Sequence, residues 1–75
     1  MRELVEYLTR NLVSDPDAVQ VEEVDAGRMT VYEVSVAEED VGKIIGRQGK
    51  VIRSIRSLVN AAATKAGTRV DVDVV

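Results

Sequence analysis

The sequence predicts an α+β fold: a three-stranded mixed sheet with three helices on one face, its elements in the order αββααβ. Three observations predict it. Apolar residues recur at helical spacing near the N-terminus and again beyond residue 50, and they alternate at strand spacing in three separate places. Two helical segments stand back to back between the second and third strands, a crossover long enough to lay the last strand parallel to the second with a right-handed connection.

In the first element, Met1, Leu4, Val5, Leu8 and Leu12 form the stripe of an amphipathic helix, expected to end near Val13. Ser14-Asp15-Pro16-Asp17 follows as a turn, because Pro16 cannot continue the helix and biases Asp15 away from helical angles. Val19 to Val24 and Met29 to Val36 are rich in β-branched residues and predict two strands. Asp25-Ala26-Gly27-Arg28 between them is a tight turn, so the strands form an antiparallel hairpin. Glu38, Glu39 and Asp40 load acid onto the N-terminus of a short helix that runs to Ile45 and stops at Gly46.

A longer helix is expected from Lys50 to Ala66, with Gly67 as its C-terminal cap. Placed at helical angles, Val51, Ile52, Ile55, Leu58, Val59, Ala62, Ala63 and Ala66 fall in one apolar arc, opposite Arg53, Ser57, Asn60 and Thr64, with Arg56 at the boundary. Val70, Val72 and Val74 alternate with Asp71 and Asp73 as the final strand.

The chain has 75 residues, which fits one domain spanning 1–75. Such chains bury only roughly 60% of the surface the unfolded chain exposes, so the core is small. With no Phe or Trp and two Tyr it is aliphatic, and aromatic platforms for stacking are nearly absent. The sequence has no Cys and no His, which removes disulfides, thiolate chemistry, the commonest metal ligand and the usual acid/base of neutral pH. No cofactor, no metal and no enzymatic activity are expected. No apolar run is long enough for a membrane span, and Met1-Arg2-Glu3-Leu4 lacks the pattern of a signal peptide, so a cytoplasmic protein is expected.

The net charge is −3, but it is divided unevenly. From Val41 to Val70 there is no acid, while Lys43, Arg47, Lys50, Arg53, Arg56, Lys65 and Arg69 supply seven bases; the rest of the chain holds all 13 acids. A basic run is often only a solvated helix face. Here it surrounds Gly46-Arg47-Gln48-Gly49, two glycines three apart at the junction of two helices. Glycines without Cβ atoms let an anionic backbone approach, and the helix that follows aims its N–H groups and positive dipole end at the same place. Lys43, Arg47, Lys50 and Arg53 add charge, and Ile44, Ile45 and Ile52 are expected to floor a groove for bases.

Ile45, Gly46, Gly49 and Ile52 resemble the apolar-Gly-x-x-Gly-x-x-apolar signature of KH domains, whose loop clamps four nucleotides. The extra helix and strand on the N-terminal side resemble the prokaryotic type II arrangement, and the whole chain is similar to small bacterial proteins consisting of one KH domain. This resemblance implies single-stranded RNA binding without catalysis. It also implies a dimer, either a homodimer or a heterodimer with a larger KH protein of the KhpB (Jag) type, and a role in post-transcriptional regulation linked to cell elongation and division.

Other readings of the same residues are weaker. Gly49-Lys50 is similar to the end of a P-loop, but Val51 stands where Ser or Thr must bind magnesium and Ile44 where the first glycine is needed. Glu22 and Glu23 are neighbours on a strand and point to opposite faces, so they cannot converge on one ion. Ala61 lies outside the apolar arc, where small residues either admit a partner helix or simply favour helix. Two function classes therefore stand: an RNA-binding module, and an assembly subunit that dimerises and touches RNA weakly.

Overall fold

A computed structural model describes all 75 residues, Met1–Val75, and the elements appear in the expected order. Helix α1 (Arg2–Arg10) buries Val5 and, unforeseen, Thr9, whose hydroxyl donates to the Val5 carbonyl one turn back (2.8 Å). That internal bond lets a polar residue sit in the core. The helix ends at Arg10, short of Val13, and Leu12 is left 41% exposed instead of buried. Pro16–Ala18 then make one 3₁₀ turn that leads into the sheet.

Strands β1 (Gln20–Asp25) and β2 (Thr30–Ser35) form the antiparallel hairpin, with Val21 opposite Val34 and Glu23 opposite Tyr32. The Asp25 carboxylate accepts from the Gly27 N–H (2.9 Å), and the Ala26 N–H donates to the Met29 carbonyl (2.9 Å) to close the turn. Strand β3 (Val70–Val74) lies parallel to β2, with Val72 beside Tyr32. The order is β1-β2-β3, so β1 and β3 are both edges. Because side chains alternate, Val21, Tyr32, Val34, Val70 and Val72 turn toward the helices and are buried. Glu22, Glu33 and Asp73 stand in register across the opposite face.

The acidic segment departs from expectation. Glu38–Asp40 form a 3₁₀ turn, and only Val41–Ile45 continue as α-helix α2. Ile44 from this short helix plugs the core together with Val5, Val34, Val59 and Val72, all essentially inaccessible. Burying a side chain of this kind contributes about 1.5–3 kcal/mol, so α2 is held by its anchor more than by its own hydrogen bonds.

Helix α3 (Lys50–Lys65) buries Ile52, Ile55, Val59 and Ala63. The expected arc was too wide: Leu58 is 57% exposed and Ala66 lies at the surface. A helix of this length on a small sheet presents one row of residues to the core, and the neighbouring row of Val51, Leu58 and Ala62 falls at its margin. Gly67 ends α3 as expected, with φ 78°; its N–H bonds the Thr64 carbonyl (3.0 Å) and the Thr68 N–H the Ala63 carbonyl (2.9 Å). This pair of bonds defines a Schellman cap.

Candidate nucleic-acid interface

The loop between α2 and α3 is built by two glycines that do different things. Gly46 ends α2 at φ 74°, ψ 173°, a region essentially closed to residues with a Cβ. A Cβ here would stand 2.3 Å from Val51 Cγ2 and 2.9 Å from the Val51 nitrogen, because the first turn of α3 packs directly on it. Arg47–Gly49 make a 3₁₀ turn closed by the Gly49 N–H on the Gly46 carbonyl (3.1 Å). Within it Gln48 is left-handed (φ 56°, ψ 27°), followed by Gly49 (φ 74°, ψ 15°), where an added Cβ would meet nothing closer than 3.9 Å.

Gly49 is also the N-cap of α3 and brings no side-chain oxygen to it. The N–H groups of the first turn therefore lack the partner that Ser, Thr, Asp or Asn would supply. Around them stand Arg47, Gln48, Lys50 and Arg53, all exposed. None of these three cations belongs to an ion pair of the chain. Lys50 and Arg53 share a shallow hollow with Ser54, Ser57 and Leu58.

Lys43 and Arg56 behave differently. The Lys43 ammonium pairs with Asp40 (3.4 Å) and donates to the Ser14 hydroxyl. Arg56 donates from Nε to the Val72 carbonyl (2.8 Å) and pairs with Asp71 (3.4 Å) and, more distantly, Asp73 (3.9 Å). Acids from outside the acid-free stretch thus fold back onto two of its seven bases.

The apolar floor also needs correction. Ile44 and Ile52 lie in the closed core, where they anchor the two ends of the loop and present no surface to a base. Only Ile45 of the three is half-buried. Exposed aliphatic surface gathers elsewhere, in a groove between the end of α1 and the start of α3, where Leu8, Leu12, Val51 and Leu58 lie next to Lys50. The row of Val51 and Leu58, offset by one residue from the core row, was the sequence signal for it.

Asp40 was expected to serve the helix dipole. Instead its carboxylate is fully buried and accepts the N–H groups of Ser14 and Asp15 (3.1 Å each), tying the α1–β1 connection to the start of α2. The Ser14 N–H foremost, then that of Asp15 and Lys43, hold its carboxyl below the ordinary carboxylate value against the opposing effect of burial. Burial pushes the Tyr32 phenol up, with the Glu23 carboxylate beside it adding to the shift.

A short helix, a Gly-x-x-Gly turn whose first glycine admits no side chain, and a long helix without a side-chain cap, set on an αββααβ sheet, define a type II KH domain. The chain belongs to the KhpA/KhpB family: the family described as KhpA/KhpB, KH domain, matches residues 2–74. It is 45% identical over 75 residues to the RNA-binding protein KhpA of Caldanaerobacter subterraneus subsp. tengcongensis, covering 100% of both chains. It is likewise 45% identical to the RNA-binding protein KhpA of Halalkalibacterium halodurans, covering 100% of this chain and 99% of that one. These relatives are named as RNA-binding proteins, not as enzymes. Among solved structures, Aquifex aeolicus Era bound to GDP.AlF4- superposes with a TM-score of 0.68 at 21% identity. A second, Era in complex with MgGDPNP and nucleotides 1506-1542 of 16S ribosomal RNA, has the same score. Each match covers 97% of this chain and 28% of the Era chain, and the likeness is one of fold. No helix is long and apolar enough to cross a membrane.

Proposed function

We propose that this chain, as one KH domain over residues 1–75, binds single-stranded RNA without catalysis. The phosphodiester backbone lies against the Gly46–Gly49 turn, and Arg47, Lys50 and Arg53 neutralise its charge. The observation that carries this reading is the unpaired state of those three cations around a turn that glycine alone can make, at the uncapped start of α3. The names of the KhpA relatives support it. Lys43 contributes less than its position suggested, because it is held by Asp40. Bases have Ile45 and the aliphatic margin of α3 to lie on, without aromatic platforms, so affinity of one domain is modest.

Titration of a fluorescent single-stranded RNA tests this. Changing both Arg47→Asp and Gln48→Asp lowers affinity at least about tenfold, because two new charges sit beside the phosphates. In a salt series, log affinity falls against log salt with a slope of about −0.7 per neutralised phosphate. A flat response, or a double variant that binds like the parent, sinks the proposal. On the family resemblance, the setting is cytoplasmic post-transcriptional regulation linked to cell elongation and division, which sequencing of RNAs crosslinked in cells would examine.

A second reading has its own observation. Leu12 and Leu58 are both substantially exposed along the α1–α3 groove, and a small core gains from covering them. In this reading the groove is the contact of a homodimer or of a heterodimer with a KhpB (Jag)-type KH protein, and pairing raises RNA affinity through avidity. Sedimentation at several concentrations decides it: the parent associates and Leu58→Glu does not. A parent that stays monomeric and captures no such partner removes this reading.

A further inference from the structure

Two arginines outside the RNA-binding set reach from the helices to the two open edges of the sheet. Arg2, at the start of α1, donates from Nε and Nη2 to the Val21 carbonyl (3.2 and 2.8 Å), near the start of β1. Arg56, on α3, donates to the Val72 carbonyl in the middle of β3. Both carbonyls face away from β2. On β3 the Arg69 carbonyl and the Val75 N–H bond to Thr30 and Val34 of the central segment, and alternation turns the polar groups of Val72 outward.

The β3 edge is closed completely at this point. The Asp71 carboxylate accepts the Val72 N–H (2.8 Å) while Arg56 takes its carbonyl, and the two side chains pair with each other. Both backbone groups that an incoming strand would need at the centre of a five-residue edge are thus occupied. A two-fold pair of β3 strands centred on Val72 would in addition set Asp71 against Asp73 of the other copy, and like charges opposite one another repel.

We propose that Arg2 and the Arg56–Asp71 pair are edge guards, which keep the sheet from adding a strand of a second copy of this chain. The occupant they exclude is another copy because each chain brings two such edges, of six and five residues, and strand pairing requires no side-chain specificity.

Two measurements test it. In the parent protein, hydrogen exchange by NMR compares Val72 with Val70 and Val74, whose amides share its outward orientation. A closed latch makes the Val72 amide exchange about tenfold more slowly, the protection that one charge-assisted hydrogen bond confers. Equal rates at the three valines overturn the proposal, and this measurement needs no variant to fold. The second compares Arg2→Ala/Arg56→Ala/Asp71→Thr with a control, Arg28→Ala/Lys65→Ala/Glu39→Ala, which makes the same change in net charge at exposed sites away from the edges. Both carry Leu58→Ser to silence the α1–α3 groove. The expected result is concentration-dependent growth of the sedimentation coefficient in the unlatched protein alone. An unlatched protein that keeps its circular dichroism yet sediments like the control overturns the proposal.

Discussion

The loop side of α3 and its sheet side carry the same kind of residue and employ it in opposite ways. Arg53 stands in the open with no carboxylate partner, whereas Arg56, one turn further on, spends its guanidinium on Val72, Asp71 and Asp73. A positive charge in a sequence is therefore not yet a positive charge on a surface. What decides between the two is whether another element brings an acid within reach, and β3 brings two to the sheet side and none to the loop side.

The largest expected effect breaks the loop side without altering any charge. Gly46→Ala forces a Cβ into Val51 at a backbone angle that alanine resists, and it should cost at least about 3 kcal/mol, visible as a collapsed melting temperature. Gly49→Ala meets open space and pays only for a left-handed conformation, about 1 kcal/mol. If the two variants melted together, the packing of α3 on Gly46 would be the wrong explanation of the loop.

Exchanging the two arginines for alanine sharpens the comparison directly. Arg56→Ala should lower stability by about 1 kcal/mol, since its partners are partly exposed, and leave RNA affinity nearly unchanged. Arg53→Ala should do the reverse: an unchanged melting temperature, weaker RNA binding at every sequence, and a salt slope shallower by about 0.7. Thermal melts and RNA titrations of both proteins check this crossing of effects.

The smallest effect is in pH. The Asp40 carboxyl titrates lower in the folded chain than its ordinary value of 3.8, so its contribution is complete above that value and disappears as pH falls through the lower folded one. Melts of the parent and of Asp40→Asn should differ by several degrees at pH 6 and converge under strongly acidic conditions. Curves that run parallel down to pH 2 would show that Asp40 is not the group responsible.

The fold was legible because its signals are local. Alternation in Val70–Val74, the stripe through Val5, and Gly67 as a cap each depend on neighbours in the chain. The glycine loop was legible for the same reason, down to the stop of α2 at Gly46. What escaped the sequence depends on contacts between distant segments. Nothing near Asp40 in the chain points to Ser14 and Asp15, and nothing near Arg56 points to Val72. The isoleucines were misjudged because spacing places Ile44 and Ile52 beside the loop but cannot say which way the short α2 turns them. Leu58 was misjudged because one apolar arc of α3 held two rows, and only one fits the width of the sheet.

The buried carboxylate of Asp40 ties the loop helix to a piece of chain that plays no part in the Gly-x-x-Gly turn itself. Helix α2 has five residues, too few to persist on its own, and its start is bolted to the Ser14–Asp15 bend. The two should open and close as one mechanical unit, with amides on both exchanging through the same local unfolding event. The first nineteen residues are then scaffolding for the loop: a fragment beginning at β1 would keep every residue of the Gly-x-x-Gly turn and lose the bracket that holds it still.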